Sequence, residues 1–250
     1  MKKRVKILLS AVMGCVAAAV SAATVSVDPL GGVDEPSASA YKTLTYALAQ
    51  HGGDTTYNLA AGTYSADSGE TFPITLSGLA NVAIMGPESG RGAVLDGTGT
   101  TKGVMSFENC QNPKISGLTV TGGQYVTATS EMYVSIVQMK DCSNAVVSDC
   151  DFYGNKIGKT GNSNKEVWAG ALLFRTVTGV TLEKTLVRDT EHEGNQWGTS
   201  YGVGALFENC TDVVIRHSEF TDNRCVVAAQ NGLYGAGLCL TGGSGSTAEV

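Results

Sequence analysis

Apolar residues return along this chain with a period of 31 to 35 positions. FENCQNPKISGLTV from Phe107, MKDCSNAVVSDCDF from Met139, FRTVTGVTLEKTLV from Phe174 and FENCTDVVIRHSEF from Phe207 lie over one another without a gap. Each segment opens on an apolar residue, has Cys or Val three positions later, and Ile, Val or Leu eight positions after the opener. Leu76 with Ile84 extends the pattern backwards and Leu240 extends it forwards. Self-similarity at this period marks a solenoid, whose units bury their apolar faces only against their neighbours.

The content of each unit selects the kind of solenoid. Helical repeats would need apolar residues at i, i+3, i+4 and i+7 over two long helices. These units instead alternate with a period of two, as at Val213 and Ile215, and are broken at close intervals by Gly, Asn, Asp and Ser, which is turn chemistry. Short strands turned by such residues at fixed pitch predict an all-β fold, a parallel β-helix, right-handed as parallel crossovers are. Equivalent residues of successive coils then stack about 4.8 Å apart. The openers form one inward column, and Ile84, Ile115, Val147, Leu182 and Ile215 form a second.

Before the repeats, residues 41–50 place Leu44 and Leu48 on one helical face, and a short strand follows at 56–60. An amphipathic helix here would cover the open apolar end of the first coil, as terminal repeats require. The motifs Tyr41-Lys42-Thr43-Leu44, Ala47-Leu48, Ala61-Gly62-Thr63-Tyr64 and Gly69-Glu70-Thr71-Phe72-Pro73-Ile74 resemble the N-terminal module of secreted right-handed β-helix proteins of the pectate-lyase-like superfamily. That resemblance covers residues 25–97. In the later coils, Phe152-Tyr153-Gly154-Asn155 and Phe220-Thr221-Asp222-Asn223 match the FxxN element of polymorphic outer-membrane proteins. Gly170-Ala171-Leu172, Gly204-Ala205-Leu206 and Gly235-Ala236-Gly237-Leu238 are similar to a loosened form of their GGAI element. This second resemblance implies an autotransporter passenger displayed outside the cell by a C-terminal barrel, which would lie beyond Val250.

Residues 1–23 combine a basic start at Lys2, Lys3 and Arg4, an apolar stretch from Ile7 to Val20 and the small-residue exit Ser21-Ala22-Ala23. This is the pattern of a secretory signal peptide, too short in its apolar part for a comfortable span. The expected organisation is a signal at 1–23, a cap and first strands at 24–70, and coils from 71 to 250, with the last coil interrupted before it closes. The protein is then exported by a bacterium, secreted or held at the outer surface, with no transmembrane span in the mature segment. Loss of Lys2, Lys3, Arg4 and Lys6 with the signal takes the formal charge from −6 to −10, which disfavours nucleic acid as a partner.

Six cysteines remain after Cys15 is removed. Cys110, Cys142 and Cys210 share one inward column with Val177, where Cys serves as a small buried hydrophobe. Free stacked thiols are the expectation; Cys225 and Cys239, in the last turns, are the best candidates if any disulfide exists, and the state of Cys150 is left open.

Chemistry on a β-helix belongs where side chains leave the coil. One position past each opener, Glu108, Lys140, Arg175 and Glu208 form an outward ladder. It reads either as two cross-strand ion pairs, Glu108 with Lys140 and Arg175 with Glu208, or as a substrate groove in which Lys140 or Arg175 holds a carboxylate. A second candidate is the run Asp189-Thr190-Glu191-His192-Glu193-Gly194-Asn195-Gln196-Trp197. Here Glu191 and Glu193 are candidate catalytic acids of a glycosidase, and Trp168, His192, Trp197 and Tyr201 are candidate sugar-binding residues. No cofactor is expected; Ca2+ stays open, with Asp141 a weak ligand beside Lys140, but no acidic cluster of the density such a site wants supports it. The leading reading is an exported structural, adhesive or carbohydrate-binding β-helix with a polysaccharide or cell-surface glycan as partner. The alternative is a polysaccharide lyase or glycoside hydrolase working on the outer face of the coils.

Overall fold

In the computed structural model, which describes residues 22–88, 90–127, 133–159, 167–193, 200–226, 233–245 and 247–249, the chain winds into an all-β parallel β-helix of about six coils. Four walls run along it. The first holds the openers, on strands Ile74–Ser77, Met105–Glu108, Tyr133–Lys140, Val167–Arg175, Ala205–Glu208 and Leu238–Thr241. The second begins with Ala23–Val27 and Thr55–Leu59 and continues through Ser143–Ser148, Thr178–Glu183 and Thr211–Arg216. The third runs from Gly62–Ser65 through Asp151–Tyr153 and Leu186–Arg188 to Glu219–Thr221. The fourth is the shortest: Gln124–Thr127, Lys156–Lys159, Glu191–Glu193 and Arg224–Val226.

The period-two alternation fixes the register, because a slip of one residue would turn every apolar side chain outward. Leu76, Phe107, Met139, Phe174, Phe207 and Leu240 pair in one column. The first five are buried, and Leu240, on the last described rung, is exposed. Ile84, Ile115, Val147, Leu182 and Ile215 form the expected second column, buried throughout.

Corners between walls are made by single residues in the left-handed region, at four recurring places in the repeats that open at Phe107, Met139, Phe174 and Phe207. Two residues past the opener stand Gly78, Asn109, Asp141, Thr176, Asn209 and Gly242; five past it stand Asn81, Asn112, Asn144, Gly179, Asp212 and Gly245. Further left-handed corners fall ten and fifteen past it, at Asp149 and Gly154 for example. Gly, Asn and Asp suit such corners because they reach positive φ at low cost. Asn81, Asn112 and Asn144 also stack: Asn112 Nδ2 donates to Asn81 Oδ1 at 2.7 Å and Asn144 Nδ2 to Asn112 Oδ1 at 2.9 Å. Thr176, with φ of 53°, is the misfit, a β-branched residue where its neighbours above and below carry Asn or Asp. Thr176→Asn is therefore expected to raise stability by about 1 kcal/mol, read as a higher denaturation midpoint at unchanged slope.

The asparagines of the FxxN elements sew coils together. Asn155, 2% exposed, accepts from Gly123 N–H at 3.0 Å and donates to Val120 C=O at 3.2 Å, both in the preceding coil. Asn223 repeats the arrangement with Thr190 N–H and Val187 C=O. Thr190 occupies the same place in the coil between, and its shorter side chain leaves Oγ1 buried without a partner.

The cap is the helix Leu44–His51, which begins later than the pattern predicts because residues 41–43 are engaged otherwise. Tyr41 bridges Val27 in parallel, and Thr43 is extended and accepts from Tyr46 N–H, an N-cap. The buried Glu70 carboxylate accepts from Leu44 and Thr45 N–H, each at 2.8 Å, placing negative charge at the positive end of the helix. Leu44 and Ala47 are buried, Leu48 packs beside them, and the helix rests on the first two strands of the second wall. Tyr64, fully buried, donates its hydroxyl to Val27 C=O at 2.8 Å. The conspicuous residues of the N-terminal module thus hold the cap to the first coil.

Candidate functional site

The fourth wall carries charged residues that border an open surface groove. Its strands expose alternate residues, so Lys156, Glu191 and Arg224 stack outward in register. Lys156 Nζ lies 2.6 Å from Glu193 and 4.0 Å from Glu191, and Arg224 lies 2.7 Å from Glu191. The Glu193 carboxylate, by hydrogen bonding the ammonium, holds the Lys156 pKa above its ordinary value. Beside this row the corner residues Gly154, Asp189 and Asp222 turn the chain, leaving a groove of about 780 Å³. Gln124, Asn155, Lys156, Asp189, Glu191 and Arg224 line it, so it crosses four successive coils. Three coil spacings make it about 14 Å long.

His192 does not belong to this surface. Expected in an exposed loop, it sits on the strand between Glu191 and Glu193 with its side chain turned into the coil, 0% exposed. Alternation is the reason: two outward acids put the residue between them inside. Ile157 lies beneath it and Cys225 above, with Cys225 Sγ 3.5 Å from Nδ1. Nε2 has no hydrogen-bond partner, and burial pushes the imidazole pKa down to about 4, so the ring is neutral. Burial likewise raises the Cys225 thiol to about 11, so the two groups do not form a thiolate–imidazolium pair.

The opener wall gathers the remaining candidates on its outer face. Glu108, Lys140, Arg175 and Glu208 are in register, with Lys140 Nζ 2.5 Å from Glu108 and Arg175 Nε 3.1 Å from Glu208. Bonding to Glu108 raises the Lys140 pKa, the opposite of what a proton-abstracting lysine needs. Arg175 also lies 3.8 Å over the Tyr133 ring, whose hydroxyl donates to Glu208 at 2.9 Å. Each partly exposed pair is worth a few tenths of a kcal/mol. In the neighbouring outward row, Thr75, Ser106 and Gln138 border a cleft of about 220 Å³ with Lys102 and Tyr125.

Higher on the same row, Leu173, Leu206 and Cys239 are buried beneath aromatic rings. Trp168 and Tyr201 stack at 4.0 Å and 9°, with Tyr133 at 6.3 Å on one side and Tyr234 at 5.3 Å on the other. The faces of Trp168 and Tyr201 are taken up by this stack, and Trp168 Nε1 is buried without a partner. A sugar ring stacking on either would have to displace its neighbour. Trp197, the other aromatic singled out from the sequence, lies outside the described residues. Sequence reasoning passed over Gln124, Lys156 and Arg224. The signal for them was the charged residue opening each fourth-wall strand, seventeen positions after the opener at Lys156, Glu191 and Arg224.

Among the described residues no group of three or more His, Cys, Asp or Glu side chains is arranged to hold a metal ion. No helix there is long and apolar enough to cross a membrane. Cys110, Cys142, Cys150, Cys210, Cys225 and Cys239 are all free thiols. The candidate pair Cys225 and Cys239 is not joined: Cys225 lies on the fourth wall, whereas Cys239 points out of the opener wall beneath the aromatic stack.

Fold and surface together define a parallel β-helix protein with a polar, ion-paired outer wall. The chain belongs to DUF1565, a protein family of unknown function whose model matches residues 31–185. No curated protein matches the sequence. Among solved structures, a presumed glycosyl hydrolase from Parabacteroides merdae is similar over 81% of this chain and 88% of its own, at 13% identity and a TM-score of 0.29. The A-module of the Azotobacter vinelandii mannuronan C-5 epimerase AlgE4 is similar over 82% and 91%, at 12% identity and a TM-score of 0.19.

Proposed function

We propose that this protein is an exported β-helix that binds a neutral polysaccharide along the groove beside the fourth wall. The observation that carries the reading is the groove itself, open along four coils and lined by amide, carboxylate, ammonium and guanidinium groups. Such a lining offers donors and acceptors in alternation, which is what the hydroxyls of a sugar chain require. A length of about 14 Å accommodates a few sugar units running parallel to the solenoid axis. Its cations are already matched, Lys156 by Glu193 and Arg224 by Glu191, and the whole chain carries −6, so an anionic polymer gains nothing on approach. The basic, apolar and small-residue order of residues 1–23 supports export, and the FxxN units support display at the outer surface. On this reading residues 1–23 are the signal, 24–70 the cap and first strands, and 71–250 the coils.

Glu191→Ala tests it, because that side chain contacts both Lys156 and Arg224 without entering the core. On a glycan array the wild-type chain should retain a neutral polysaccharide. The variant should bind it at least tenfold more weakly, with a thermal midpoint within a few degrees of wild type. Absence of any neutral glycan signal, or equal binding by the variant, would refute the assignment. So would loss of binding in Gln138→Ala with Glu191→Ala unaffected, which would move the site to the opener wall.

A further inference from the structure

Cys110 and Cys142 occupy the same place in adjacent coils, three residues past Phe107 and Met139. The rung that joins them is closed on the spot: Ser143 N–H donates to Cys110 C=O at 3.0 Å, and Gln111 bridges Ser143 in parallel. Their Cα atoms are therefore one strand spacing apart, about 4.8 Å, within the roughly 4.4–6.8 Å range of disulfides and towards its short end. Both thiols face the core, 2% and 4% exposed, each directed at a backbone carbonyl of the preceding coil, Cys110 at Leu76 C=O at 3.5 Å and Cys142 at Phe107 C=O at 3.8 Å. Each thiol acts on the other, easing loss of the Cys110 proton and opposing loss of the second from Cys142. The rest of the column isolates the pair. Val177 stands in the next coil and Cys210 in the one after, so Cys210 is two spacings from Cys142, roughly 10 Å, and out of reach.

We infer that Cys110 and Cys142 form an inter-coil disulfide clasp when the protein winds in the presence of a small-molecule disulfide such as oxidised glutathione. The Cys110 thiolate attacks one glutathione sulfur, breaking the glutathione S–S bond and releasing one glutathione thiolate. The Cys142 thiolate then attacks the Cys110 sulfur of the mixed disulfide, forming the protein S–S bond and expelling the second glutathione. The protein gives up two protons and two electrons, and the oxidant is recovered as two thiols. Burial of both sulfurs confines this exchange to coils that are open, as they are during folding. The clasp would fasten two neighbouring coils covalently, where the other rungs rely on hydrogen bonds and packing. It does not depend on the glycan reading.

The experiment is refolding of the full chain in oxidised glutathione or in dithiothreitol, followed by denaturing alkylation and peptide mass mapping. The oxidised sample should yield the Cys110 peptide joined to the Cys142 peptide, about 2 Da below the sum of the two thiol forms. It should also unfold at a higher temperature than the reduced sample. Cys142→Val, which copies Val177 in the next coil, should keep the fold but lose both the cross-link and the redox dependence, while Cys210→Val keeps both. Alkylation of Cys110 and Cys142 in the oxidised sample, or their appearance in cross-links to other cysteines, would overturn the inference.

Discussion

Phe174→Ala is expected to cost about 3–5 kcal/mol of folding free energy, the range for truncating a large aromatic in a packed core. Phe174 is 1% exposed, stacks on Phe207 with ring centroids 4.7 Å apart at 11°, and lies in register with Met139 on its other side. A solenoid coil is stabilised only by its two neighbours, so a cavity at this rung weakens both interfaces that hold the middle of the molecule. Phe174→Leu should recover most of the loss, since Leu76 fills the same column at the lower end. Denaturant titration monitored by circular dichroism would read both. A loss below about 1 kcal/mol for the alanine variant would contradict a close-packed opener column.

Acidification should expose a second weak point, at His192. The folded state holds this imidazole neutral, with its pKa pushed from the ordinary 6.5 to about 4 by burial. Below pH 6.5 the unfolded chain binds a proton there that the native chain refuses. Stability from this residue is therefore unaffected above pH 6.5 and falls progressively as the pH drops towards 4. The full loss is about 3 kcal/mol. His192→Ile, which copies Ile157 one rung below, should remove that part of the slope and leave the chain more acid-resistant. Carboxylates bonded to cations, such as Glu183 on Arg216, are also lost in acid, so the measurement is the difference between variant and wild type from pH 7 to pH 4. Parallel pH curves for the two proteins would show that His192 is solvated or partnered in solution.

His192 also shows how far the sequence could be read. The opener and second walls were legible because their strands contribute two inward apolar residues in an alternating frame, and chemically similar residues recur in each coil. The fourth wall was not. Its strands are three or four residues long, and the residue in the inward register changes from Tyr125, at the rim of a cleft, to Ile157, His192 and Cys225. With no shared chemistry the column does not stand out, and Glu191-His192-Glu193 looks like a solvated loop. The corners were half visible: Gly, Asn and Asp recur at fixed offsets, but Thr176, Lys184 and His217 hold the same left-handed geometry and interrupt the pattern. Trp168 and Tyr201 were singled out as candidate sugar-binding residues. Their faces proved to be turned towards each other rather than towards a ligand, which depends on the stacking of coils and not on any one unit.

The direction of the rungs has a mechanical consequence. Every wall is a parallel ladder, so its interstrand hydrogen bonds run along the solenoid axis while the chain itself runs around it. A force drawing a chain end along the axis therefore does not shear many bonds together; it peels the outermost coil, wall by wall, before the next is loaded. Each coil of 31 to 35 residues would pay out roughly 110 Å of extended chain. Such a molecule yields at low force through long, stepwise extension, behaving under load as a reel of line rather than as a rod.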